Sequence, residues 1–238
     1  MEVYPSIPPV NLIFKISEVF MKGLNFELET LYFSTFRKPT STSLMLSYLI
    51  PPFTTIRGLL SNALGLVRDD FRLQDEIKIG VSIQSFGIKS REMAKILKLK
   101  EMPGERTVEF PSSPMFKELL YGSRYIIYIG GQEEIIENIY NHLLNPKRPL
   151  YIGQSDDLVD LKINKPIEVD KIETTHLDSV VEGIIPGAVV EKIPYKFEKI
   201  DKGYKLEYKI LSLFCGSISN LKQSIYCFKF AEKNIALI

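Results

Sequence analysis

The chain has no tryptophan, only two cysteines and only two histidines in 238 residues. Two cysteines are too few for a disulfide framework. Neither Cys215 nor Cys227 has a second Cys or a His at metal-ligand spacing, so both are expected to be buried thiols rather than part of a zinc site. Histidine catalysis has two candidates, His142 and His176, and His142 stands among apolar residues of an expected helix, where packing or capping is its expected role. No apolar run approaches the roughly 20 residues needed to cross a bilayer, and no basic-then-apolar leader opens the sequence, so the cytoplasm is the expected compartment. Neither sign of charge dominates: 30 Lys and Arg against 29 Asp and Glu leave a net charge of +1 and a pI near 7.7. A surface for nucleic acid must therefore come from local clustering. Internal repeats and low-complexity segments are also missing, and no metal, cofactor, membrane or small-molecule substrate is expected.

What remains is an ordinary globular composition, 45% hydrophobic and 25% charged, in a chain long enough for one substantial core with or without a smaller appendage. Its organising stretch is Ser47 to Gly65. Pro51 and Pro52 hold the chain extended, Thr54 or Thr55 is expected to cap a helix, and Ile56, Leu59, Leu60, Ala63 and Leu64 share one of its faces. Gly65 is placed to leave the helix in a left-handed conformation. Arg57 puts positive charge in the first turn, where the helix dipole is already positive, and Gly58 stands where almost any other residue favours helix more. These two are either a tolerated surface residue and a packing concession, which the helix by itself favours, or an anion site. In the second case the free amides and Arg57 hold a phosphate while Gly58 lets another backbone come close.

Around this helix, Val10 to Phe20 alternates like a strand, and Lys22 to Phe36 reads as a continuing hairpin that runs into the basic loop Arg37-Lys38-Pro39. Ile77 to Phe86 is the second expected strand, Ser123 to Ile129 the third, and Leu150 to Gly153 a short fourth. Ile135, Ile136, Ile139, Tyr140, Leu143 and Leu144 mark a second helix that ends at Asn145-Pro146. Strand, helix, strand, strand, helix, strand is the split β-α-β order of an α+β, ferredoxin-like fold, expected over 1–161, with a smaller β-rich region over 162–238. Between the second and third strands, Lys89, Arg91, Lys95, Lys98, Lys100 and Arg106 form the densest basic cluster in the chain.

Phe36-Arg37-Lys38-Pro39, Ser47-Tyr48 through Gly65, the basic excursion and Arg148-Pro149-Leu150-Tyr151-Ile152-Gly153 together resemble the CRISPR-associated family 5 proteins of the RAMP superfamily. The resemblance covers the first two-thirds of the chain, and the rest fits as a variable β region. It implies a ferredoxin-like domain, similar to an RNA-recognition motif, with a basic thumb at about 88–122. It also implies a place in a type I Cascade complex, bound to the 5′ handle of the crRNA and packed on the backbone and large subunits. The implied RNA contacts are the six basic residues of the excursion with Arg37, Lys38, Tyr48 and Arg57.

One branch of that family cleaves precursor RNA with an aromatic hydroxyl, a lysine and a histidine. No Lys-His pair occurs here and neither histidine falls in the thumb, so a non-catalytic RNA-binding and assembly subunit is the first reading. The alternatives are a metal-independent endoribonuclease and a structural subunit that touches no RNA.

Overall fold

Leu24, Phe26 and Leu28 are fully buried while Asn25 and Glu27 face the other way, and the strand they form is the centre of the structure. This strand, β1 (Met21–Thr30), lies where a continuing hairpin was expected. The computed structural model describes residues 21–39, 44–97, 100–101, 108–109 and 112–238, so the expected strand at Val10 to Phe20 is outside the described residues.

After β1 come two short paired strands, β2 (Phe36–Arg37) and β3 (Ser47–Tyr48), and then helix α1 (Phe53–Leu64). Pro52, not Thr54 or Thr55, stands at the N-cap of α1: its extended ψ of 150° sets the entry, and its carbonyl accepts from Thr55 and Ile56 at 2.9 and 3.0 Å. Both threonines fall inside the first turn. Gly65 does close the helix at φ 72°, its N–H bonded to Asn62 O, and the next amide, Leu66, bonds Ser61 O. Ile56, Leu59, Leu60 and Ala63 are buried as the periodicity predicts, each large side chain contributing about 1.5–3 kcal/mol relative to exposure.

The one-turn helix α2 (Leu73–Glu76) leads into β4 (Ile77–Ser85), followed by β5 (Ile88–Leu97), β6 (Ser112–Tyr121), β7 (Arg124–Gly131) and α3 (Glu133–Leu144). Then come β8 (Val159–Ile163), β9 (Ile167–Thr174), β10 (Val189–Ile200), β11 (Gly203–Leu213), β12 (Ile225–Phe230) and β13 (Lys233–Ile235). The expected strand at Leu150 to Gly153 is only an isolated bridge between Tyr151 and Leu158. The Asp157 carboxylate accepts from the amides of Thr35 and Gln154 at 2.8 and 3.2 Å, which folds the segment into a turn, and β8 pairs with β1 instead.

The main sheet runs β13-β12-β9-β1-β7-β4, with β8 also on β1, so β9, β12 and β13 from beyond residue 161 join it, while β10 and β11 pair in a separate sheet. The C-terminal tail beyond β13 reaches β4 at the other edge: Ile79 and Ile238 exchange backbone hydrogen bonds of 3.1 and 3.0 Å. One face of the sheet carries α1 and α3 over the larger core. On the other, Phe230, Ile235 and Leu237 pack where Gly23, Gly80 and Gly130 present no side chain. A Cβ on Gly80 would lie 2.5 Å from Ile235 and 3.0 Å from the carbonyl oxygen of Ala236. Cys227 is buried as expected, whereas Cys215 is exposed at the end of β11.

Candidate nucleic-acid interface

An RNA-recognition motif binds on the open face of its sheet, where aromatic side chains stack on bases. That face is closed here by the C-terminal segment, and its aromatics, Tyr128 and Phe230, are buried edge to face at 5.0 Å. Among the described residues, Tyr226 at the far end of β12 is the one aromatic that stays exposed on that face, with Lys171 4.6 Å from its ring. The basic excursion offers a basic surface, because β5 and β6 pair along their whole length as a ribbon, from Ile88↔Tyr121 to Leu97↔Ser112, with the short strands Phe33–Ser34 and Leu44–Met45 also paired to β6.

Opposed residues share a face. On one face are Lys89 with Leu120, Arg91 with Glu118, Met93 with Phe116 and Lys95 with Pro114. On the other, Leu119, Lys117 and Met115 are buried, and Lys117 reaches Gln154 Oε1 at 2.9 Å and the Phe33 ring at 5.4 Å. The first face changes character along its length. At its base Leu120 and Glu118 are buried. Further out Met93 is 72% and Phe116 53% exposed, side by side between the exposed Arg91 and Lys95. An accessible aromatic ring between cations is what single-stranded nucleic acid requires, stacking for a base and charge for the backbone.

The base of this face is an ion-pair cluster. Glu118 accepts from Ser47 N, Lys89 Nζ and Arg91 Nη2, each at 3.1 Å. Burial alone would raise the Glu118 carboxyl, but the Ser47 amide and the two cations outweigh it and hold it below the ordinary glutamate range. The stability this carboxylate supplies is therefore present above the unfolded-state pKa and lost as pH falls through the depressed native one. Glu118→Gln is expected to cost about 1–2 kcal/mol at neutral pH, discounted because both cations are half exposed, with the difference from the parent vanishing in acid. Denaturant melts at pH 7 and pH 3 check this; an equal loss at both would mean the charge is not what matters.

The remaining predicted contacts divide. Lys95 and Arg37 are exposed. Lys38 is committed to Glu191 and sits 5.0 Å from the Tyr48 ring, while Glu191 also accepts from Leu49 N at 3.0 Å. Tyr48 is 4% exposed, so it offers no face for stacking; burial, with Tyr208 and Glu191 beside it, pushes its hydroxyl up to about 12. Arg57 is not a surface residue: it is buried, and Nη1 donates to the Tyr195 carbonyl. Lys98 and Arg106 are outside the described residues, and Lys100 belongs to a two-residue strand, Lys100–Glu101. Phe116, Met93 and Glu118 were not singled out from sequence. Met115-Phe116-Lys117-Glu118-Leu119-Leu120 sets apolar and polar residues in pairs rather than in alternation, so no local signal marks which face stays open.

The family model described as CRISPR-associated protein (Cas_Cas5) matches residues 23–207, from β1 through the ribbon and α3 into β11. The chain belongs to the Cas5 family. Its α+β, sheet-rich fold is shared by a chain of a "CRISPR RNA-guided surveillance complex" at a TM-score of 0.57 and 16% identity, over 83% of this chain and 91% of that one. A CRISPR protein from Archaeoglobus fulgidus is similar at a TM-score of 0.47 and 13% identity, over 90% of this chain and 97% of that one. No curated protein sequence matches. No helix among the described residues of this Cas5-family protein is long and apolar enough to cross a membrane, and no group of three or more His, Cys, Asp or Glu among them is arranged to hold a metal ion.

Proposed function

We propose that this Cas5-family protein is a non-catalytic, RNA-binding subunit of a Cascade-type CRISPR effector complex, holding the 5′ handle of the crRNA and packing on the backbone and large subunits. The observation that carries the reading is the outer half of the ribbon, where Phe116 and Met93 stand open between Arg91 and Lys95. Lys89 and Arg91 against Glu118 leave one net positive charge at the base, and Lys95 adds to it. A neighbour of shared fold in a CRISPR RNA-guided surveillance complex agrees with this role. The strand order β9-β1-β7-β4, antiparallel throughout with both long helices on one face, supports a ferredoxin-like arrangement.

Two features argue against cleavage. A base must sit near its proton and titrate near working pH, and the Tyr48 hydroxyl is buried and pushed to about 12. The histidines are engaged elsewhere, His142 with Asn138 O on the exposed side of α3 and His176 with Ser219 and Asp178. The test is co-expression with a CRISPR array and the partner subunits, followed by incubation of the purified protein with labelled repeat RNA in EDTA. Guide RNA is expected to co-purify, and the repeat to stay intact. A discrete cut that disappears in Tyr48→Phe would establish the nuclease reading, and assembly without any RNA contact by this chain the structural one.

A further inference from the structure

The end of α1 with Leu66, the one-turn α2 and residues 134–141 of α3 enclose an open groove of about 580 Å³, to which the ribbon contributes no residue. Its floor is apolar: Leu64, Leu66 and Ile135 are only half-buried, above the buried Leu73 and Ile139. Its rim is acidic. Glu134 and Glu137 lie with Asn138 and Asn141 along one stripe of α3, and Glu76 joins the rim from the end of α2. Among the described residues none of these three carboxylates makes an ion pair or a side-chain hydrogen bond, although Glu133 beside them takes Lys22 at 3.2 Å. Arg72 is the cation of the lining, and its guanidinium is bonded to Asp70 at 2.6, 2.9 and 3.0 Å, with Glu76 acting on it only from further off.

The helix dipole does not account for the whole rim. Glu134 is in the first turn of α3, where an acid is favoured, but Glu137 lies beyond that turn and Glu76 is the last residue of its helix. Like charges one turn apart on a helix repel, so Glu134 and Glu137 cost stability until a cation comes between them and solvent. A nucleic acid carries the wrong sign for this rim. A single metal ion does not fit it either, because among the described residues no three or more His, Cys, Asp or Glu converge to hold one. Carboxylates spaced around an apolar floor instead match cations spaced along a polypeptide, with apolar side chains between them. Opposed charge at the rim then sets the register, and burial of the half-exposed Leu64, Leu66 and Ile135 supplies the driving force.

We propose that this groove is the docking site for a basic segment of a partner subunit, its Lys or Arg side chains on Glu76, Glu134 and Glu137 and its apolar side chains on Leu64, Leu66 and Ile135. This rests on the reading of the chain as a subunit of an effector complex, and it gives the protein partner a face separate from the ribbon. The test is co-expression of the full-length protein with the other subunits and the CRISPR array, comparing the parent with Glu76→Lys combined with Glu137→Lys. Neither carboxylate has an ion-pair partner to lose, so the melting temperature of the isolated variant is expected to be parental and its affinity for single-stranded RNA no lower. The yield of co-purifying protein subunits is expected to fall about tenfold, since the reversal sets like charges against the partner. Glu134→Gln combined with Glu137→Gln, which removes charge without changing shape, should lower the yield in the same direction and guards against a folding defect. Carbodiimide treatment of the parental complex is expected to join Glu134 or Glu137 to a lysine of a different subunit. Parental yields in both variants would overturn the groove and leave the subunit reading standing. Crosslinks confined to lysines of this chain, or of a second copy of it, would overturn the proposal in favour of that occupant. Failure of the parent to co-purify any subunit would remove the subunit reading and this site with it.

Discussion

Phe116→Ala combined with Lys95→Ala is expected to weaken binding of single-stranded RNA by about tenfold or more while leaving the melting temperature unchanged. The affinity estimate follows from the stacking contribution of one aromatic ring, about 1–3 kcal/mol per base, to which a phosphate contact adds. The stability estimate follows from exposure. Phe116 is more than half accessible and Lys95 is exposed, and substitutions at such positions ordinarily change stability by no more than about 0.5 kcal/mol. Salt separates the two side chains. Loss of Lys95 should flatten the dependence of log affinity on log salt by about 0.7, whereas loss of Phe116 should leave that slope alone. Glu118→Gln should do the reverse and steepen the slope, since it releases Lys89 and Arg91 from their shared carboxylate. A salt series by fluorescence anisotropy on the parent, the single variants and the double variant measures all of this. Parental affinity in the double variant would remove the ribbon from the RNA-binding surface.

Gly80→Val is expected to be the most damaging single change in the sheet. The added side chain would meet Ile235 at 2.5 Å and the backbone oxygen of Ala236 at 3.0 Å, and a backbone atom cannot swing aside as a side-chain tip can. The C-terminal segment would have to lift from the sheet, with loss of the paired hydrogen bonds between Ile79 and Ile238. Overpacking of this kind costs about 1–3 kcal/mol, which in a domain of this size lowers the melting temperature by roughly 2–12 °C. Gly58→Leu is the internal control, since it adds a larger side chain to a glycine with open space and should not lower the melting temperature. Differential scanning calorimetry of both variants decides; a parental transition for Gly80→Val would mean that the C-terminal strands are not seated on that face.

The elements that repeat a local pattern were legible in the sequence. α1 and α3 follow from apolar residues at helical spacing, the end of α1 from Gly65, β4 from alternation and β7 from its density of Tyr and Ile, because each signal acts within a few residues of chain. The density of Lys and Arg between β4 and β7 was equally plain, and with the proline-proline helix it carried the resemblance that the family match bears out. What the sequence could not express is which charges survive folding. Glu118 is 27 and 29 residues from the cations it engages, Glu191 is 153 from Lys38, and Tyr195 is 138 from Arg57, so only tertiary packing brings these partners together. Tyr48 was implied by the resemblance and Arg57 by its place in the first turn of α1, yet Tyr208 and Glu191 lie against the one and Tyr195 against the other. Phe116 was not singled out from the sequence, and it is open because the face of the ribbon that it shares with Met93 has no layer above its outer half. Local periodicity determined the elements; long-range packing decided which side chains are spent inside the protein and which are left for a ligand.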